Sequence, residues 1–237
     1  ATEKLVILEE IRMYDDQPPF GADERCRAAF FRGHPLARSV LGSVESIEAL
    51  PVEAMRDYHR RRYAPGTIVL AATGAVDFAA LVASANRLCG DWEPQPEAGR
   101  TARPPAAVES REQVVRPTAA LEYAVRMSAG PDEFHPDRFA AKLLATVLGD
   151  SSGSRLYWAL VDPGLAEQAS LHHHEFLDAG LFVTQLSCDT DDADDLLARI
   201  LAIYAEVGSR GIEADEFAQA RNKVASRVVL SGERPRR

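Results

Sequence analysis

The sequence predicts an α+β fold with helices packed on one face of a mostly antiparallel sheet. Three observations carry this reading. Two strand-like runs, 166–175 and 180–188, are joined by the tight turn Asp178-Ala179-Gly180. Long amphipathic helical stretches lie near both ends of the chain. The composition, 46% hydrophobic and 27% charged over 237 residues, is that of a folded chain, large enough for one big domain or two small ones.

The elements follow in order. Residues 2–16 read as a helix, with Thr2 able to cap its start and Leu5, Val6, Ile7, Leu8, Ile11 and Met13 forming a wide apolar stripe. Asp15-Asp16-Gln17-Pro18-Pro19 ends it, because proline disfavours helix at the residue before it. Residues 20–33 read as a short helix or loop. Ser46 or Glu45 leads into a short helical piece, and Pro51 to about Arg62 reads as a basic amphipathic helix. Tyr63-Ala64-Pro65-Gly66 is turn chemistry, and Thr67–Thr73 (TIVLAAT) reads as a buried strand. Asp77 caps a helix from Phe78 to about Cys89.

From Glu93 to Pro105 four prolines and a glycine mark a linker. Beyond it, 112–116 and 119–128 read as strands. A helix runs to Leu148 and stops at Gly149, and another spans Ser154 to Leu160. After the strand pair, Asp191 or Asp192 caps a helix to about Ser209. Gly211 separates it from a last helix, Ala214 to about Leu230. The run from Thr67 to Trp92 and that from Leu181 to Val207 share the order strand, polar break, Asp, helix, a faint internal echo.

The net charge of −9 argues against nucleic acid as a partner. No apolar run reaches the ~18 residues that span a bilayer. Cys26, Cys89 and Cys188 are scattered, without CxxC spacing, and read as small apolar residues. Arg56, His59, Arg60, Arg61 and Arg62 read as a solvated helix face. The five acids between Asp189 and Asp195 read as helix-capping chemistry rather than a calcium loop. The loop Gly149-Asp150-Ser151-Ser152-Gly153-Ser154 precedes a helix and could seat an anion, but it lacks a P-loop lysine. In Leu171–Phe176, strand alternation puts His172 and His174 on one face and His173 on the other. A packed or solvated histidine cluster is the plainer reading of this group, and opportunistic metal binding the alternative.

Glu3 and Glu10 are seven residues apart on the first helix, close to two full turns, so they face the same way. A carboxylate on a rigid helix is a suitable hard ligand for a divalent metal, at ~2.0–2.2 Å for zinc. By spacing alone, both also read as ordinary solvated helix glutamates.

The words around them are specific. EKLVILEEIRMYDDQPP (residues 3–19) resembles the glutamate-bearing helix of the M16 zinc metallopeptidases, the inverzincins, which include pitrilysin, insulin-degrading enzyme and the mitochondrial processing peptidase. HPLARSVLGSVESIEAL (34–50), the Tyr63-Ala64-Pro65 entry to TIVLAATGAVD, LLATVLGDSSGSRLYWAL (143–160), GLAEQAS (164–170) and DAGLF (178–182) extend the likeness over nearly the whole chain. The resemblance implies two M16-type repeats of the LuxS/metalloprotease-like kind, both incomplete. Residues 1–97 would be the later part of the first repeat, 98–111 a linker, and 112–237 a truncated second repeat. It implies zinc as cofactor in the full-length protein, Glu10 as a metal ligand, and Glu3 as its neighbouring helper. The partners implied are a peptide substrate and a second M16 subunit, in a homo- or heterodimer.

Two departures shape the expectation. The family's HxxEH, which gives two zinc histidines and the catalytic base, does not occur in these residues, so no catalytic residue is assigned and the chain alone should be inactive. By the resemblance, the chain starts after the position where HxxEH should stand, so the expectation is that the motif lies upstream. Where family members that grip substrate carry Arg and Tyr, this chain has Val161 and Glu167. A metal-bearing subunit of a zinc-dependent metallopeptidase is therefore expected, with a non-catalytic M16-like structural or substrate-presenting subunit as the alternative. The compartment, bacterial cytoplasm or periplasm, is left open.

Overall fold

A computed structural model describes residues 2–16, 18–94, 111, 114 and 120–232. The chain divides into two compact units, Ala1–Leu8 with Gly42–Ala102, and Glu9–Leu41 with Arg103–Arg237. The first helix, α1 (Thr2–Asp16), contributes residues to both. Most of the expected linker lies outside the described residues, as do most of 112–116, where Val114 is irregular and half exposed.

In the first unit the described residues are helical or irregular. Helix α3 (Val44–Ala49) starts at Ser43 rather than at Ser46 or Glu45. The Ser43 hydroxyl accepts from the Ser46 amide at 3.2 Å, and the Ser46 hydroxyl accepts from the Ser43 amide at 2.9 Å, a reciprocal box that satisfies two end donors. Helix α4 (Val52–Arg62) is exposed throughout, with Arg56 on Glu53 and Arg60 on Asp57, as a solvated basic face requires. Helix α5 (Phe78–Cys89) is capped by Asp77, whose carboxylate accepts from the Ala80 amide at 3.0 Å.

The expected strand at 67–73 does not form. Thr67 closes a 3₁₀ turn, Pro65–Thr67, and the residues after it are irregular, with Val69 92% exposed. A strand persists only when a neighbour takes up its amides and carbonyls. No other strand is present among this unit's described residues. The internal echo therefore holds for the helix and its aspartate but not for the strand.

The second unit is built on three antiparallel strands in the order β1-β3-β2: β1 (Glu122–Gly130), β2 (Gln168–Glu175) and β3 (Gly180–Cys188). Central β3 sets Val183 opposite Met127 and His172, and Leu186 opposite Ala124 and Ala169. Side chains alternate between faces, so each face of β3 needs its own cover. Leu181 and Val183 bury against Phe30 and Phe31, at the end of helix α2 (Pro18–Phe30) and just beyond it. On the other face, Leu186 and Cys188 pack with Leu156, Leu160, Leu196 and Ile200, while Leu171 packs with Ala145 and Leu148. Those residues belong to helix α6 (Arg138–Gly149), a π-helical turn (Tyr157–Val161) with its entry, and helix α7 (Ala193–Arg210). The expectation of helices on one face is thus corrected. Apolar residues at consecutive β3 positions call for cover on both sides, a pattern that β1 and β2 show less strongly.

The helix expected from Ser154 forms with π spacing in its later turn. Asp192 occupies the start of α7 without a side-chain cap bond, and Gly211 ends that helix at φ +79°, a conformation that glycine adopts freely. The last helix, α8, runs Ala214–Gly232.

Candidate functional site

Helix α1 is continuous, as the sequence predicted. Of its expected stripe, Leu8 and Ile11 are buried, whereas Leu5, Val6 and Met13 are exposed. Glu3 and Glu10 are exposed and stand two turns apart. Adjacent Glu9 differs: its carboxylate takes a 2.5 Å ion pair from Arg12, one turn on. No described residue engages the carboxylate of Glu3 or Glu10. The side chain of Thr2 lies outside the described ones.

The chemistry of Glu10 suits one position of a zinc shell, since an unpaired carboxylate keeps its lone pairs for a cation. It is one donor only. Among the described residues no three His, Cys, Asp or Glu side chains come together as a metal site.

Val161 sits in the π-helical turn and packs against the core around Leu186. Glu167 is exposed, and its backbone amide donates to the Ser187 carbonyl at 2.8 Å. Neither offers the cationic or phenolic group expected at a substrate grip.

The His172–His174 segment lies on β2, with the alternation predicted. His173 packs on Phe182, its ring 5.1 Å away, and its Nε2 lies 2.9 Å from the Pro131 carbonyl. His172 and His174 occupy the opposite face, with ring centroids 6.3 Å apart. Partial burial and the nearby His172 hold His174 below the ordinary histidine pKa; Asp23 opposes this, while Arg27 and His173 add to it.

One constellation escaped the sequence reading. The 149–154 loop, which by sequence could seat an anion though it lacks a P-loop lysine, is occupied by its own aspartate. The Asp150 side chain, 8% exposed, accepts two bonds from Arg227 (2.8 and 2.9 Å) and one from Lys223 (3.0 Å), both on α8. Burial alone would raise its pKa, but the bonds to Arg227 and Lys223 prevail and hold it below the usual carboxylate range. Arg155 grips Glu216 through two bonds of 2.7 and 2.8 Å. Lys223 and Arg227, at i and i+4 on a helix, were the available signal. Ser152 and Ser154 have no nucleophile setting, the Ser154 hydroxyl being bonded to the Asp150 carbonyl at 2.7 Å.

The family described as Peptidase M16 inactive domain matches residues 49–224. The chain belongs to the M16 peptidase family. It is similar to an uncharacterized zinc protease of Mycobacterium leprae, 29% identical over 237 residues, covering 96% of this chain and 52% of that protein. It is also similar to the Arabidopsis thaliana protein named "Probable mitochondrial-processing peptidase subunit beta, mitochondrial", 25% identical, covering 96% of this chain and 45% of that one. Its fold matches the crystal structure of a peptidase M16 inactive domain from Pseudomonas fluorescens with a TM-score of 0.84 at 20% identity, over 94% of this chain and 55% of that one. The chain spans about half the length of the curated relatives it matches. The M16 membership expected from the α1 wording thus stands, as does the mixed helix and antiparallel-sheet architecture. No described helix is long and apolar enough to cross a membrane.

Proposed function

We propose that this chain is part of a zinc-dependent M16 peptidase that hydrolyses peptide bonds, with Glu10 as a metal ligand and Glu3 orienting the site from two turns away. The observation that carries the reading is α1 itself, a continuous helix on which Glu10 is exposed and unengaged while Glu9 is tied to Arg12. The zinc-protease names of its relatives support the cofactor. Bound zinc polarises a scissile carbonyl and lowers the pKa of a bound water. What this chain's residues contribute is narrower: α1 sets the position of Glu10 on the helix and leaves its carboxylate unengaged by the described residues, able to accept a cation. One such donor holds zinc weakly, so the 237 residues alone are inactive.

The remaining assignments rest on the same reading. Residues 1–97 are the later part of a first M16 repeat, 98–111 a linker, and 112–237 a second, truncated repeat. A peptide is the substrate, and a second M16 subunit, identical or different, completes the enzyme. Val161 and Glu167 in place of Arg and Tyr are consistent with a substrate grip on that second subunit.

The test compares zinc content of the full-length parent protein with that of its Glu10→Gln variant. Loss of zinc in the variant is expected, and equal occupancy would remove Glu10 as a ligand. The alternative is a non-catalytic M16 subunit that presents substrate or supports a partner. It is favoured by the inactive-domain description of the matching family. Sequence upstream of Ala1 separates the two, since HxxEH there supports the enzyme and other residues at those positions support the partner.

A further inference from the structure

We propose that His172 and His174 form a two-imidazole chelate for a late first-row divalent cation, on β2 and apart from the glutamate helix. Three features point to it. The register places His172 opposite Val183 and His174 opposite Leu181, so both rings leave the same face of the strand. Their centroids are 6.3 Å apart and their planes are inclined by 55°. Both side chains are exposed, and no hydrogen bond ties either ring to a described residue. Their neighbour on the opposite face provides the contrast, because His173 is packed on Phe182 and bonded at Pro131.

Two nitrogens bind one ion when each reaches about 2.0–2.1 Å from it, as for zinc. The observed spacing is somewhat wider than that pose. Exposed histidines change rotamer freely, and a modest turn of both rings about their side-chain bonds closes the gap. Imidazole suits zinc, copper and nickel, whereas magnesium and calcium prefer oxygen. Asp23 and Arg27 of α2 act on His174 electrostatically but are paired with each other, so the carboxylate is engaged and the two imidazoles are the donors offered. This agrees with the lack of a three-donor cluster among the described residues and predicts modest affinity, decided by the chelate.

The experiment is calorimetric titration of the 237-residue chain with Cu²⁺, Ni²⁺ and Zn²⁺ chlorides, and with Mg²⁺. The expected result is one ion per chain, in the affinity order copper, nickel, zinc, with no magnesium binding. His172→Ala or His174→Ala should each weaken nickel binding about a hundredfold, the usual scale of losing the second arm of a chelate. His59→Ala, on exposed α4, should leave it unchanged. Circular dichroism on each variant verifies that the fold is intact. Nickel affinity equal in the chain and the His172→Ala/His174→Ala double variant overturns the proposal, as does the lack of any binding at millimolar nickel. Loss in His59→Ala instead would also overturn it.

Discussion

Gly149→Ala should destabilise the second unit, against the usual preference of helices for alanine. Gly149 is the last residue of α6 and is buried. A Cβ there would lie 2.0 Å from the Leu171 amide nitrogen and 2.5 Å from its Cβ, where ordinary contact begins near 3.4 Å. Helix and strand must separate by more than an ångström, yet Leu171 is 6% exposed and paired with Thr184 in central β3, so β2 cannot retreat alone. Overpacking of this kind costs about 1–3 kcal/mol, and a clash with backbone belongs at the upper end. Helix propensity returns at most ~1 kcal/mol in a helix interior and less at an end. A net loss of about 2 kcal/mol follows, or roughly 4–8 °C in Tm for a chain of this size. Gly208, inside α7, has open space at the same atom, so Gly208→Ala should gain about 0.5–1 kcal/mol. Urea unfolding followed by far-UV circular dichroism measures both. Gly149→Ala as stable as the parent chain, with Gly208→Ala gaining as expected, would refute the close-approach argument.

Asp150→Asn should cost about 1–2 kcal/mol after allowing for solvent screening at exposed Arg227. Because the folded-state pKa of Asp150 is depressed, its contribution is complete above the unfolded value of about 3.9 and is lost as pH falls through the lower folded value. Stability measured down through that window should fall more steeply in the parent chain than in Asp150→Asn. Tyr204→Phe should cost about 1–2 kcal/mol in chemical unfolding, since it strands the buried Thr184 hydroxyl that lies 3.0 Å from the phenol. A neutral result would mean that water replaces the bond.

Elements whose cues are local were legible in the sequence. Asp77 capping α5, the Asp178-Ala179-Gly180 hairpin and Gly211 ending α7 each depend on a few neighbouring residues. The 67–73 run failed because apolar character reports a wish for burial, not the presence of a partner strand; Val69 is nearly fully exposed instead. The one-face expectation failed similarly. Consecutive apolar residues in β3 recorded two-sided cover, but only the register reveals that Phe31 takes one side and Leu160 contributes to the core on the other. The Asp150 cluster joins residues more than seventy positions apart, beyond any local pattern.

At the candidate site, what the sequence carried was register on one helix. Glu9 and Glu10 are neighbours, yet about 100° of rotation separates them. Arg12, three residues after Glu9, pairs with it and leaves Glu10 unengaged among the described residues. The Glu10 carboxylate contributes no packing, because the buried contacts of α1 are made by Leu8 and Ile11. Glu10→Gln therefore removes a charge and a strong donor while keeping shape, helix propensity and core. A drop in zinc content in that variant would accordingly report on coordination and not on folding. An Ile11→Ala substitution, by contrast, would confound the two by opening a cavity beneath the helix.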